Sequence, residues 1–137
     1  MKRKLLLFAL LFFTGCIMDY YDNRLCVINQ SPVSIAVEVV NDTTKYTANN
    51  IAYYQSHAIA PNDTAFITKA GKNAWLEYTN EGKAKALYVY FFNLDSLTKY
   101  ERGGADMSYL IGNKKYLKRL DYSLDELKKT NWQIKYR

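Results

Sequence analysis

The chain has 137 residues, with nineteen Lys and Arg, thirteen Asp and Glu and one His, for a formal charge of +6. That length suits one domain with its own core. Its cations are scattered rather than gathered into a stripe, which excludes a recognisable nucleic-acid-binding module, and one histidine with two cysteines excludes a familiar zinc site.

Lys2, Arg3 and Lys4 precede an apolar run over residues 5–13, and Phe13-Thr14-Gly15-Cys16 follows. A cationic start, a short apolar stretch and small residues before a cut predict a secretory signal peptide over residues 1–15. The run is too short to span a bilayer, which takes about 20 residues. Phe13-Thr14-Gly15-Cys16 resembles the bacterial lipobox, with Phe13 where Leu is usual, so Cys16 is the expected lipidation site. Each buried acyl methylene contributes roughly 0.8 kcal/mol, and two or more chains (palmitate among them) anchor stably. The predicted mature protein loses Lys2, Arg3 and Lys4 with the leader, leaving sixteen basic against thirteen acidic residues. The working charge is then +3.

Residues 16–23 read as a lipidated tether and residues 24–137 as a single β-rich domain. With Cys16 carrying lipid, Cys26 is alone and forms no intrachain disulfide; in the apolar run Leu25-Cys26-Val27-Ile28 it reads as a small buried hydrophobe. Residues 24–29 predict a first strand, stopped by Gln30-Ser31-Pro32. Over residues 33–40, Val33, Ile35, Val37 and Val39 alternate with Ser34, Ala36 and Glu38, a strand with one apolar face. Residues 45–56 are polar and read as irregular, with Tyr53-Tyr54 inside. Ile59-Ala60-Pro61-Asn62-Asp63 is a strand end and turn. Residues 64–68 resume alternation, Ala65 and Ile67 opposite Phe66.

Ala70-Gly71-Lys72-Asn73 reads as a turn and residues 74–78 as a strand, with Asn80-Glu81-Gly82-Lys83 closing a hairpin to residues 86–92. The run Leu87-Tyr88-Val89-Tyr90-Phe91-Phe92 is apolar on both faces, as in a central strand with its back covered. Asn93 or Asp95 caps a short covering helix bearing Leu94, Leu97 and Tyr100, ended by Gly103-Gly104. Residues 116–122 predict a strand. Ser123 and Glu126 make a capping box for a helix over 124–130, with Lys128 and Lys129 near its negative end and Asn131 closing it. Trp132, Ile134 and Tyr136 then alternate with Gln133, Lys135 and Arg137 as a last strand docked into the sheet.

Turns recurring about every ten residues and a tyrosine excess (thirteen Tyr) predict a mainly β fold. The expected architecture is an antiparallel β-sandwich, open to an immunoglobulin-like topology, with two short helices. The alternative is an α+β sheet with helices on one face.

The segments Tyr88-Val89-Tyr90-Phe91-Phe92, Asp95-Ser96-Leu97 with Tyr100, Tyr116 through Leu127, and Asn131-Trp132-Gln133-Ile134-Lys135-Tyr136 carry a family resemblance. They are similar to a family of small uncharacterised lipoproteins of anaerobic gut bacteria, strongly over about a third of the chain. The middle resembles it through Ile59-Ala60-Pro61 and Trp75. Members often end in Pro after the last Tyr, where this chain has Arg137. The resemblance implies an outer-membrane lipoprotein and brings no activity with it. In such lipoproteins acidic residues soon after the cysteine direct surface export; here Asp19 and Asp22 are split by Tyr20-Tyr21, so the cell surface and the periplasmic face both stay open.

No residue constellation makes a case for catalysis. His57 beside Ser56 lacks a strand-turn-helix that presents a serine, and Glu38 and Glu77 have no spacing that pairs them for glycoside hydrolysis. No catalytic residue, metal site or cofactor is expected, and a hydrolase is the least favoured reading. Binding is the better expectation: Tyr20, Tyr21, Tyr53 and Tyr54 lie outside the expected core elements, and exposed tyrosines stack on sugars or anchor protein interfaces. Tyr53 and Tyr54 are therefore the candidate ligand-binding aromatics, with a glycan or an envelope protein as partner and no nucleic acid. Asp42-Thr43-Thr44, Asp63-Thr64-Ala65 and Asp95-Ser96-Leu97 also fit a short O-glycosylation pattern of related bacteria.

Overall fold

The computed structural model describes residues 20–44 and 50–137. The leader and Cys16, on which the lipidation expectation falls, lie outside the described residues. The described chain runs β1 (Tyr21–Asn29), β2 (Ile35–Val40), α1 (Ile51–Ser56), β3 (Thr64–Ala70), α2 (Ala74–Glu81), β4 (Ala86–Asn93), α3 (Leu94–Arg102), α4 (Met107–Gly112), β5 (Lys118–Ser123), α5 (Leu124–Lys129) and β6 (Gln133–Tyr136). It is an α+β fold with two three-stranded sheets, ordered β3-β1-β6 and β2-β4-β5.

The expectation of two short helices is corrected to five among the described residues. An all-antiparallel sheet is corrected too, because β6 pairs with β1 in parallel. The β1–β3, β2–β4 and β4–β5 pairs are antiparallel.

Strand β4 is central, as its two-faced apolar run requires. Leu87, Val89 and Phe91 point into a core shared by both sheets, where Leu25, Val27, Ile35, Val39, Ile134 and Tyr136 meet Trp75 and Leu127. Phe91 of one sheet stacks on Tyr136 of the other, with ring centroids 4.7 Å apart. On the opposite face Tyr90 and Phe92 join Ala36, Val40, Ile51, Tyr54, Leu97, Met107 and Leu110. Helices α1, α3 and α4 supply the cover that the back of β4 needs. Burying apolar surface on both faces contributes roughly 25 cal/mol per Å² and makes this strand the pivot of the fold.

Strand β2 differs from its expected one-faced pattern. It begins at Ile35, and Ala36 and Glu38 are buried along with Ile35 and Val39. The second face is covered by α1, which forms where the sequence reads as irregular. Asn50 starts it by accepting the Tyr53 N–H on its side chain at 3.0 Å. Likewise Asp106 caps the unexpected α4 through the Tyr109 N–H at 2.7 Å.

Residues 74–78 are helical, not a strand, so no hairpin joins them to β4. Trp75, Tyr78 and Thr79 share one helical face, a spacing that the expected five-residue strand did not take into account. Asp22 of β1 accepts the Trp75 backbone N–H at 3.0 Å, and Trp75 Nε1 donates to Ile67 O at 2.7 Å. The preceding turn uses Gly71 at φ 117°, a left-handed backbone that favours glycine. The helix ends at Gly82, where a Cβ would stand 2.5 Å from Asn41 O.

The C-terminal devices read from the sequence are present. Asn93 caps α3 through the Ser96 N–H at 3.0 Å. Ser123 and Glu126 form the reciprocal capping box of α5. Asn131 (φ 51°) and Trp132 (φ 60°) both take left-handed backbone after that helix. The Trp132 N–H on Leu127 O (2.7 Å) and the Cys26 N–H on Trp132 O (2.9 Å) hold them there.

Candidate functional site

A cleft of about 280 Å³ opens between α1 and β3, with Val37 of β2 on its third side. Its volume falls just below the roughly 300 Å³ at which small-ligand sites begin. Tyr53, Tyr54, His57, Phe66 and Thr68 line it together with Ala65 and Ile67. Helix α1 brings Tyr53 and His57 onto one face because they are four residues apart. Their rings stack with centroids 4.3 Å apart and planes 30° from parallel.

The structure separates the two candidate aromatics. Tyr53 is 46% exposed at the cleft. Tyr54 is 2% exposed, so it is not the solvent-facing ring expected from the sequence. Its ring meets Tyr53 edge-on at 5.2 Å and its hydroxyl donates to the buried Glu38 carboxylate. A buried carboxylate needs such donors, since desolvation without them is costly. Tyr20 and Tyr21 are exposed, as the sequence suggests, but β1 begins at Tyr21 and so takes in residues 21–23 of the expected tether.

Phe66 is the residue that sequence reasoning passed over. It is 63% exposed on β3 and completes the aromatic lining with Tyr53. The signal was its place opposite Ala65 and Ile67: with those two facing the core, Phe66 had to face solvent or a second layer.

His57 Nδ1 lies 2.8 Å from Tyr53 O and 3.0 Å from Ser56 Oγ, while Ser56 Oγ donates to the same carbonyl at 2.8 Å. A carbonyl only accepts, so in this arrangement Nδ1 carries the proton. The ring nitrogen nearest the serine is then a donor and takes no proton from its hydroxyl, whereas nucleophile activation needs a base at that position. The pair fixes the end of α1 and keeps His57 in the cleft lining. Among the described residues, no group of three or more His, Cys, Asp or Glu is arranged to hold a metal ion.

Cys26 is 7% exposed, and burial pushes its thiol pKa up. A protonated, buried thiol is a poor nucleophile. Asp22 is 5% exposed. Burial raises its carboxyl pKa, but the Arg24 side chain and the backbone N–H groups of Trp75 and Arg24 outweigh that and hold it below the ordinary range. This carboxylate joins β1 to α2 and lies outside the cleft-lining residues.

No family model matches the chain, and no curated protein or solved structure is significantly similar to it. No helix among the described residues is long and apolar enough to cross a membrane.

Proposed function

We propose that this protein is a lipid-anchored, non-catalytic lipoprotein of the outer membrane with a binding role, and that it takes its ligand in the Tyr53–His57–Phe66 cleft. The anchoring half rests on Phe13-Thr14-Gly15-Cys16 behind its cationic, apolar leader, and on the resemblance to gut-bacterial lipoproteins. The binding half rests on one observation, the pairing of two solvent-facing rings, Tyr53 and Phe66, across a single cleft. Exposed rings braced by their neighbours offer contact area at small entropic cost, the chemistry that sugars and polypeptides both use. The shared core of the two sheets and the Phe91–Tyr136 stack between them favour a layered, sandwich-like architecture, with the parallel β6 as its departure from an immunoglobulin-like plan.

Expression in a bacterial host with radiolabelled palmitate tests the anchor. The native protein is expected to take up label and fractionate with the outer membrane, while Cys16→Ser stays unlabelled and is released or left as precursor. Equal membrane association of the mutant with its leader removed would refute the anchor. The binding half predicts that Tyr53→Ala and Phe66→Ala each weaken a saturable ligand without loss of fold.

A further inference from the structure

The cleft is bordered by two strand edges, and the hydrogen-bond register shows which backbone groups face it. Asn29 donates its N–H to Asp63 O and Cys26 to Trp132 O, each at 2.9 Å. Odd-numbered residues over this part of β1 therefore bond toward β3, and even-numbered ones toward β6. Ala65 and Ile67, opposite Val27 and Leu25, direct their backbone groups to β1. Phe66 and Thr68 direct theirs outward. In β2, Ser34 O accepts the Leu94 N–H at 3.1 Å, so Ala36 and Glu38 bond toward β4 while Val37 and Val39 point away. Among the described residues the outward N–H and C=O groups of Val37, Val39, Phe66 and Thr68 have no hydrogen-bond partner.

Exposed strand edges are normally blunted by charge, proline or shortness. Strand β5 carries Lys118, Arg119 and Asp121, and β6 is four residues long with Lys135 in it. The stretch Thr64-Ala65-Phe66-Ile67-Thr68 has neither charge nor proline, and the one cation of β3, Lys69, is laid over the Tyr78 ring at 3.8 Å. Beneath it, Val37, Ala65 and Ile67 are only partly buried at the margin of the main core. Unpaired donors and acceptors, an unguarded edge and an incompletely covered apolar floor thus meet in one place.

We propose that the cleft between the open edges of β2 and β3 binds an extended peptide segment of a partner protein as an added strand. This rests on the reading of the cleft as the ligand site and names its ligand class. The partner bonds through its backbone to Phe66 and Thr68, and its alternate side chains cover Val37, Ala65 and Ile67, so the segment is apolar at every second position and free of proline where it pairs. Helix α1 faces this edge with Tyr53 and His57 in the same cleft lining.

The test uses the full chain in detergent micelles, isotopically labelled for amide exchange, with the synthetic peptide Lys-Thr-Val-Thr-Val-Thr-Lys as probe. Saturable binding is expected to slow exchange of the Phe66 and Thr68 amides by roughly tenfold or more. The same peptide N-methylated throughout is expected neither to bind nor to protect. Thr68→Pro removes an outward N–H without touching the β1 ladder and should weaken the peptide by roughly tenfold. Should Thr68→Pro not fold, the exchange readout on the unaltered chain decides alone. No protection at millimolar peptide, or equal binding of the N-methylated form, overturns the proposal. Concentration-dependent self-association that protects these amides without peptide overturns it in favour of a second copy. Maltoheptaose binding that is lost in Tyr53→Ala, with the Phe66 amide unprotected, would sink the peptide and leave the cleft standing as a ligand site.

Discussion

Ile35 and Ile59 exchange both backbone hydrogen bonds, at 3.0 Å and 2.7 Å, as an isolated bridge between β2 and the segment that leads into β3. Beyond this bridge the outward groups of Val37 and Val39 go unpaired among the described residues. The bridge therefore sets the closed end of the cleft. Asn29 holds it in place: its Nδ2 donates to Val33 O at 2.8 Å and to Ile59 O and Ala60 O at 3.0 Å, and its Oδ1 accepts from Ser31 N at 3.0 Å and Ser31 Oγ at 2.7 Å.

Asn29→Ala strips partners from these buried groups. Each unsatisfied buried group costs about 1–3 kcal/mol, and partial relaxation brings the expected loss to about 3 kcal/mol. Urea unfolding followed by circular dichroism would measure it, and a change below about 1 kcal/mol would mean that the turn reorganises freely.

Tyr53 and Tyr54 are neighbours with opposite roles. Tyr54→Ala opens a cavity in the second core and removes a donor from Glu38, for an expected cost of about 3–5 kcal/mol. Tyr53→Ala removes an exposed ring and should cost less than about 1 kcal/mol. Parallel thermal melts of the two variants would separate core from site.

Asp22 makes stability depend on acid. Its folded-state carboxyl holds its proton less tightly than in the unfolded chain. The stabilisation it provides is therefore complete above the unfolded carboxylate pKa, about 3.9, and is lost as pH falls through the lower folded value. Urea midpoints of the native protein should fall across that window, and Asp22→Asn should flatten this part of the profile while costing about 1–3 kcal/mol at neutral pH.

Deleting residues 132–137 removes β6 with the buried Ile134, the Phe91–Tyr136 stack and the Arg24 guanidinium contact, 5.2 Å from the Trp132 ring centroid. The truncated chain is expected not to fold. Native circular dichroism with cooperative melting would refute this.

Local devices were legible in the sequence where a few neighbouring residues decide the outcome. The Ser123–Glu126 box, the Asn93 cap and the alternation of Trp132, Ile134 and Tyr136 each complete their physics within four positions. The misread elements have their deciding partner far away. Trp75 begins a helix on a carboxylate 53 positions earlier in the chain, and Glu38 is buried under a tyrosine 16 positions later. A five-residue window of sequence carries no trace of such contacts.

The sequence by itself determined the two-faced burial of β4, the closing α5–β6 unit and the lipobox-like start. Those patterns lie in side-chain identity and spacing. Only the tertiary structure decided that Tyr54 goes inside while Tyr53 stays out, and that the outer edges of β2 and β3, unpaired among the described residues, border one cleft. Backbone donors and acceptors are alike in nearly every residue, so which of them stay unpaired depends on what packs alongside.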